Sequence, residues 1–207
     1  MKLKICGMKY PENIKEVAAL QPDYLGFIFY DKSKRNYEGE IPMISNKVKK
    51  TGVFVNASLN FILGKIEKHN LKAVQLHGDE SVAFCEQIKQ NNVEVIKVFS
   101  IGNTFDFNLV KAYENVCDYF LFDTKGKERG GNGIIFDWKL LKENPSTKPY
   151  FLSGGIGKES VDALKDFLNS EVSKNCYGID VNSKFEIESG LKDVEKLIKF
   201  KQNLEIG

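Results

Sequence analysis

Histidine is almost missing from this 207-residue chain: it occurs only at His69 and His77, too few to build a histidine-based metal centre. The four cysteines, Cys6, Cys85, Cys117 and Cys176, lie far apart, and none forms the CxxC pair that binds zinc. No signal-peptide pattern opens the sequence, so the thiols read as free cysteines of a cytoplasmic protein. An excess of one charge is also missing. The 30 basic and 28 acidic residues are mixed along the chain for a net charge of +2, which leaves no basic face suited to a nucleic-acid backbone. Long hydrophobic runs are lacking too; the longest, Tyr24 to Tyr30, is strand-sized and far short of a bilayer span. There is no dinucleotide fingerprint, no Walker motif, no linker and no low-complexity tract. These absences argue against a resident metal or cofactor, a membrane and a nucleic-acid partner.

What is present is an alternation. Short apolar or β-branched runs recur at 2–6, 24–29, 51–55, 73–77, 93–99, 118–123, 148–154 and 176–181. Helix-like segments lie between and after them at 11–20, 41–49, 58–69, 80–91, 106–115, 136–143, 158–168 and 190–202. Eight βα units within 207 residues fit a closed α/β barrel, a (β/α)8 TIM barrel, better than an open doubly wound sheet. The expectation is a single barrel domain spanning 1–207.

In such a barrel the chemistry sits at the C-terminal ends of the strands. Cys6 ends the first strand and is followed by Gly7, which permits close approach to the backbone; a thiolate there can act as a general base if cations or dipoles lower its pKa. Asp123 ends the sixth strand. It either caps the next turn or supplies an acid, and it precedes the Gly-rich segment Thr124 to Gly133, a pattern that suggests a loop moving over a ligand. Gly154 and Gly155 follow strand seven and Ser183 opens a short turn after strand eight, the usual phosphate site of this architecture. Arg35 lies in the loop after strand two, where its planar fork suits a carboxylate. His77 either orients a ligand or serves as a structural imidazole.

The segments KICGM (4–8), GFIFYDKSKR (26–35), GVFVN (52–56), VQLHGDE (74–80), LFD (121–123), GGNGIIFDW (130–138), LSGG (152–155), GIDVNSKFE (178–186) and SGLKD (189–193) occur in the order found in phosphoribosylanthranilate isomerases, and over essentially its full length the chain resembles that family. The resemblance implies an Amadori rearrangement of N-(5-phosphoribosyl)anthranilate to 1-(2-carboxyphenylamino)-1-deoxyribulose 5-phosphate in tryptophan biosynthesis, without cofactor or metal. It implies Cys6 as general base, Asp123 as general acid, Arg35 on the anthranilate carboxylate, Asp180 near the substrate amine, and Gly154, Gly155 and Ser183 around the phosphate. The partner is then a small phosphorylated substrate, and the protein is a monomer or a homodimer. Two positions depart from the family pattern: Lys184 stands where a glycine is usual and Ser153 where an alanine is usual. Lys184 either folds over the phosphate or points into water.

Indoleglycerol-phosphate synthase and pentose-phosphate epimerases are the nearest alternative barrels. The first needs a catalytic lysine near the start of the barrel and extra N-terminal helices, and the second needs metal-binding histidines at strand ends; neither pattern is evident. A non-catalytic phosphate sensor needs neither a thiolate nor an acid, so retention of Cys6 and Asp123 argues against it.

Overall fold

The computed structural model describes residues 1–126 and 135–205. Its centre is a closed barrel of eight parallel strands in chain order: β1 (Lys2–Ile5), β2 (Tyr24–Ile28), β3 (Lys49–Phe54), β4 (Ala73–Leu76), β5 (Glu94–Ile101), β6 (Tyr119–Thr124), β7 (Tyr150–Leu152) and β8 (Cys176–Val181). β8 closes onto β1 with Lys4 opposite Asp180 and Ile5 opposite Val181. The helices α1 (Pro11–Ala19), α2 (Leu59–His69), α3 (Val82–Lys89), α4 (Asn108–Lys111), α5 (Val161–Leu168) and α6 (Val194–Asn203) occupy the connections between strands and the C-terminal end. Among the described residues no helix is long and apolar enough to cross a membrane.

Side chains alternate across each strand, and the two faces build two cores. Leu3, Ile5, Leu25 and Phe27 belong to the large cluster between strands and helices. Tyr24, Ala73, Ile96, Val98, Leu121 and Phe151 form a separate cluster inside the barrel. Helix entry follows local chemistry: Ser58 caps α2 by accepting from Phe61 N at 3.3 Å, and Ser81 caps α3 by accepting from Phe84 N at 3.2 Å. α5 then buries Val161, Leu164 and Phe167, each contributing about 1.5–3 kcal/mol of transfer free energy.

Four expected helices differ. The segment 41–49 is irregular, because Lys49 already belongs to β3 and Ile41 precedes Pro42, which disfavours helical dihedrals. The remainder is too short to nucleate a helix, and the Ser45 hydroxyl instead accepts from Lys47 N at 3.3 Å. The segment 106–115 keeps only the single turn α4 and then tightens, with Tyr113 N bonded to Val110 O and Val116 N to Tyr113 O. In place of an α-helix at 136–143 there is a 3-10 helix at Trp138–Glu143, started by Asp137 and followed by Pro145. In place of a helix from 190, β9 (Glu186–Glu188) and β10 (Leu191–Lys192) form a hairpin, and Asp193 starts α6 by accepting from Lys196 N at 3.0 Å. Strand seven is shorter than expected, three residues against the seven of 148–154.

Candidate active site

Above the apolar barrel core, at the C-terminal ends of the strands, opens a cavity. Its lining includes Cys6, Arg35, Asp123, Gly154, Gly155, Asp180 and Ser183 from the sequence reading, together with Gln75, His77, Ser153 and Asn182. Lys184 is not part of the lining; its ammonium meets Glu159 Oε1 at 2.9 Å, linking the loops after β8 and β7 in a largely exposed ion pair. The Gly-rich segment expected to cover a ligand falls mainly on 127–134, outside the described residues.

Cys6 follows β1 and is 4% exposed. Strand alternation places Lys4 on the same inward face, fully buried, with its ammonium 2.7 Å from Asp180 Oδ1. The other Asp180 oxygen accepts from Ser153 Oγ at 3.0 Å. Burial pulls the Lys4 ammonium toward neutrality, but Asp180 and Cys6 outweigh it and hold its pKa above the ordinary lysine value. For Cys6 the balance goes the other way. Burial pushes the thiol up, Lys4 and Lys192 pull it down, Asp180 adds to the rise, and the net direction is upward. Two cations thus act on the thiol, and burial outweighs them.

Asp123 is 6% exposed on β6. One oxygen accepts from Thr124 N at 2.9 Å, and the other lies 3.4 Å from His77 Nε2. His77 in turn meets the Gln75 amide through Nδ1 at 3.3 Å. His77 is thus both a cavity residue and a neighbour of the carboxyl expected to act as acid. The rest of QLHGDE is scaffold: Glu80 accepts from Asn56 N at 2.9 Å and Gly78 N at 3.0 Å and pairs with buried Lys97 at 3.0 Å, tying the loops after β3 and β4 together.

On the phosphate side, Gly154 and Gly155 have φ of +91° and +68°, and a Cβ at Gly154 would collide with Thr124. Only glycine fits, because the loop after β7 leans on the end of β6 while curling over the cavity. Ser183 begins the 3-10 turn Ser183–Phe185, as expected. At Gly7 the neighbour is not a vacant ligand space: with φ of +75°, its missing Cβ leaves room for Arg35 Cδ and Asn182 Oδ1. Arg35 reaches the cavity over this glycine and grips Glu186 side-on, Nε to Oε1 at 2.8 Å and Nη2 to Oε2 at 2.6 Å. Lys192, 1% exposed, also contacts Glu186 Oε1 at 2.7 Å.

Lys4, Gln75, Glu186 and Lys192 escaped the sequence reading. Lys4 carried a signal, since a lysine alternating with an inward cysteine in an apolar strand must be buried and paired. Glu186 and Lys192 carried none, being two charges among many near the C-terminus.

The model of the family described as N-(5'phosphoribosyl)anthranilate (PRA) isomerase matches residues 3–203. A curated N-(5'-phosphoribosyl)anthranilate isomerase of Parabacteroides distasonis is 42% identical over 99% of this chain and 93% of its own length. The solved isomerase of Thermotoga maritima superimposes with a TM-score of 0.82 at 30% identity, covering 99% of this chain and 98% of that one. A solved phosphoribosylanthranilate isomerase in complex with reduced 1-(o-carboxyphenylamino)-1-deoxyribulose 5-phosphate gives a TM-score of 0.75 at 29% identity, with coverages of 99% and 98%. A barrel with a thiol and a carboxyl facing one cavity, matched by this family along nearly its whole length, belongs to the phosphoribosylanthranilate isomerase family.

Proposed function

We propose that the cavity isomerises N-(5-phosphoribosyl)anthranilate with Cys6 as general base and Asp123 as general acid. The observation that carries this reading is that a buried thiol from β1 and a buried carboxyl from β6 line one cavity, flanked by the glycine loop after β7 on one side and Arg35 on another. Asp123 gives a proton to the furanose ring oxygen, so the C1–O bond breaks and C1 becomes a Schiff base with the anthranilate nitrogen. The Cys6 thiolate takes the proton from C2, and the C2–H electron pair moves to form an enamine that ketonises to the aminoketose. The reaction is a net isomerisation, so no electrons leave the substrate.

Gly154, Gly155 and Ser183 take the phosphate through the backbone and hydroxyl donors of the loops after β7 and β8. Arg35 takes the ring carboxylate. Asp180 keeps Lys4 beneath Cys6, and with both its oxygens engaged it reaches the substrate amine only as a shared acceptor. The test is a pair of variants, Cys6→Ala and Asp123→Asn. Each is expected to lower kcat by roughly 100- to 10,000-fold, the usual worth of one proton-transfer group, while a reduced product analogue still binds within a few-fold of wild type. Near-normal kcat in either variant removes that residue from its role.

A further inference from the structure

The hairpin β9–β10 stands between β8 and α6, and it brings two charged side chains against Arg35 and Asn182, which line the cavity. Glu186 begins it and Lys192 ends it; their side chains are 6% and 0% exposed. Glu186 is held on three sides, by the Arg35 fork, by Lys192 Nζ at 2.7 Å and by Gly190 N at 3.0 Å. Lys192 also donates to Asn182 Oδ1 at 2.7 Å, and its backbone is pinned to α1 by Asn13, with Lys192 N to Oδ1 at 2.7 Å and Nδ2 to Lys192 O at 2.9 Å. The assembly is tied to the loop after β2 through Arg35, to the loop after β8 through Asn182 and to α1 through Asn13.

A guanidinium has two edges that can hold a carboxylate. Glu186 takes the side edge, Nε and one hydrogen of Nη2. The end edge, with Nη1 and the second hydrogen of Nη2, has no partner among the described residues and is open to a ligand. Two cations and one carboxylate leave the trio with a net charge of +1, so a bound carboxylate brings it to neutrality. We propose that Glu186 and Lys192 are positioning residues that hold Arg35 side-on and present its end edge to the ring carboxylate, making the hairpin β9–β10 the determinant of selectivity for a carboxyl-bearing substrate. The proposal rests on the reading of Arg35 given above.

The test compares two ligands: the reduced product analogue, and the same molecule lacking the ring carboxyl. Binding is measured by calorimetry to the wild type, Arg35→Met, Glu186→Gln and Lys192→Met, with kcat and KM recorded in parallel. In wild type the carboxyl analogue binds more tightly. A charge-assisted hydrogen bond is worth about 1.5–3 kcal/mol, or roughly 10- to 150-fold. Glu186→Gln and Lys192→Met are therefore expected to weaken the carboxyl analogue about tenfold or more, and Glu186→Gln to raise KM similarly. The other analogue should bind as before in both variants, and in Glu186→Gln kcat should change less than threefold; the Lys192→Met arm is read on binding alone, because Lys192 also acts on the Cys6 thiol. If Arg35→Met erases the preference for the carboxyl but the other two variants leave it intact, the positioning role is overturned and the Arg35 assignment stands. If Arg35→Met also leaves the preference intact, both are wrong. Equal losses for both analogues in both hairpin variants would make the hairpin a folding element and also overturn the proposal.

Discussion

Replacing Lys4 with methionine removes one charge from the floor of the cavity while keeping most of the side-chain volume. The Lys4–Asp180 pair is buried, at 0% and 6% side-chain exposure, so its removal leaves a carboxylate whose only remaining hydrogen-bond partner on the described contacts is the Ser153 hydroxyl. Breaking a buried pair from one side costs about 3–5 kcal/mol, a large part of a total stability of about 5–15 kcal/mol. Neutralising both partners costs less than neutralising one, because no uncompensated charge remains. Urea denaturation at pH 7.5 should therefore show Lys4→Met strongly destabilised and Lys4→Met/Asp180→Asn closer to wild type. The same variant has a catalytic signature. In the proposed role Cys6 acts as base only as the thiolate, and burial already holds its pKa above the ordinary value of 9.0 while Lys4 opposes the rise. Activity is present above that pKa and lost below it, so kcat/KM should still be rising with pH above neutrality in the wild type. In Lys4→Met the rise should move to higher pH. A loss below about 1 kcal/mol, the range of exposed ion pairs, or a double variant less stable than the single one, would refute the reasoning.

Two further outcomes follow from exposed and buried charge. Lys184 sits on Glu159 with side-chain exposures of 37% and 52%, so Lys184→Gly should change stability by about 1 kcal/mol or less and leave KM and its salt dependence unchanged; a raised KM with a flatter salt slope would place the ammonium on the phosphate instead. His69 is 4% exposed and stacked on Phe29 at 5.3 Å, and burial, with Lys65, Lys68 and Lys50 nearby, lowers its pKa below the ordinary 6.5. The unfolded chain then takes up the proton first, so this contribution to stability is present above about pH 6.5 and declines as pH falls toward the lower folded-state pKa. His69→Phe should lessen the drop in urea midpoint between pH 7.5 and pH 5, and an unchanged drop would show that His69 does not titrate on unfolding.

The barrel was legible because its signal is redundant. Each strand is a compact apolar run, and eight of them survive the misplacement of several helices. The helices were harder to read because their periodicity competes with local backbone chemistry, as in 41–49, where Pro42 and the Ser45 turn prevail over the spacing of Ile41, Ile44 and Val48. The hairpin was invisible for a related reason. LKDVEKLIKF reads as one amphipathic stretch, and only the Asp193 cap divides it into a strand that delivers Lys192 and a helix that buries Leu197 and Phe200.

The site divides along a similar line. Cys6, Asp123 and the glycines were readable because strand-end position alone predicts where they face. The pairing of charged groups was not, because a sequence gives the position of a charge along the chain but not its partner. Arg35 shows the difference: the loop after β2 places it at the mouth of the barrel, yet the group it grips is 151 residues away at Glu186. Its chemistry depends on that grip. A guanidinium free in water is one surface cation among many, whereas one held side-on by a buried carboxylate has a single edge left to offer, and its direction is set by the folding of the C-terminal hairpin. The same holds for Cys6, where burial raises the thiol pKa and Lys4 and Lys192 oppose the rise, one two residues before it and the other 186 after it. Residue type and strand order locate the reaction in this barrel. The Lys4–Asp180 pair that acts on the Cys6 thiol is assembled only by the closure of β8 onto β1.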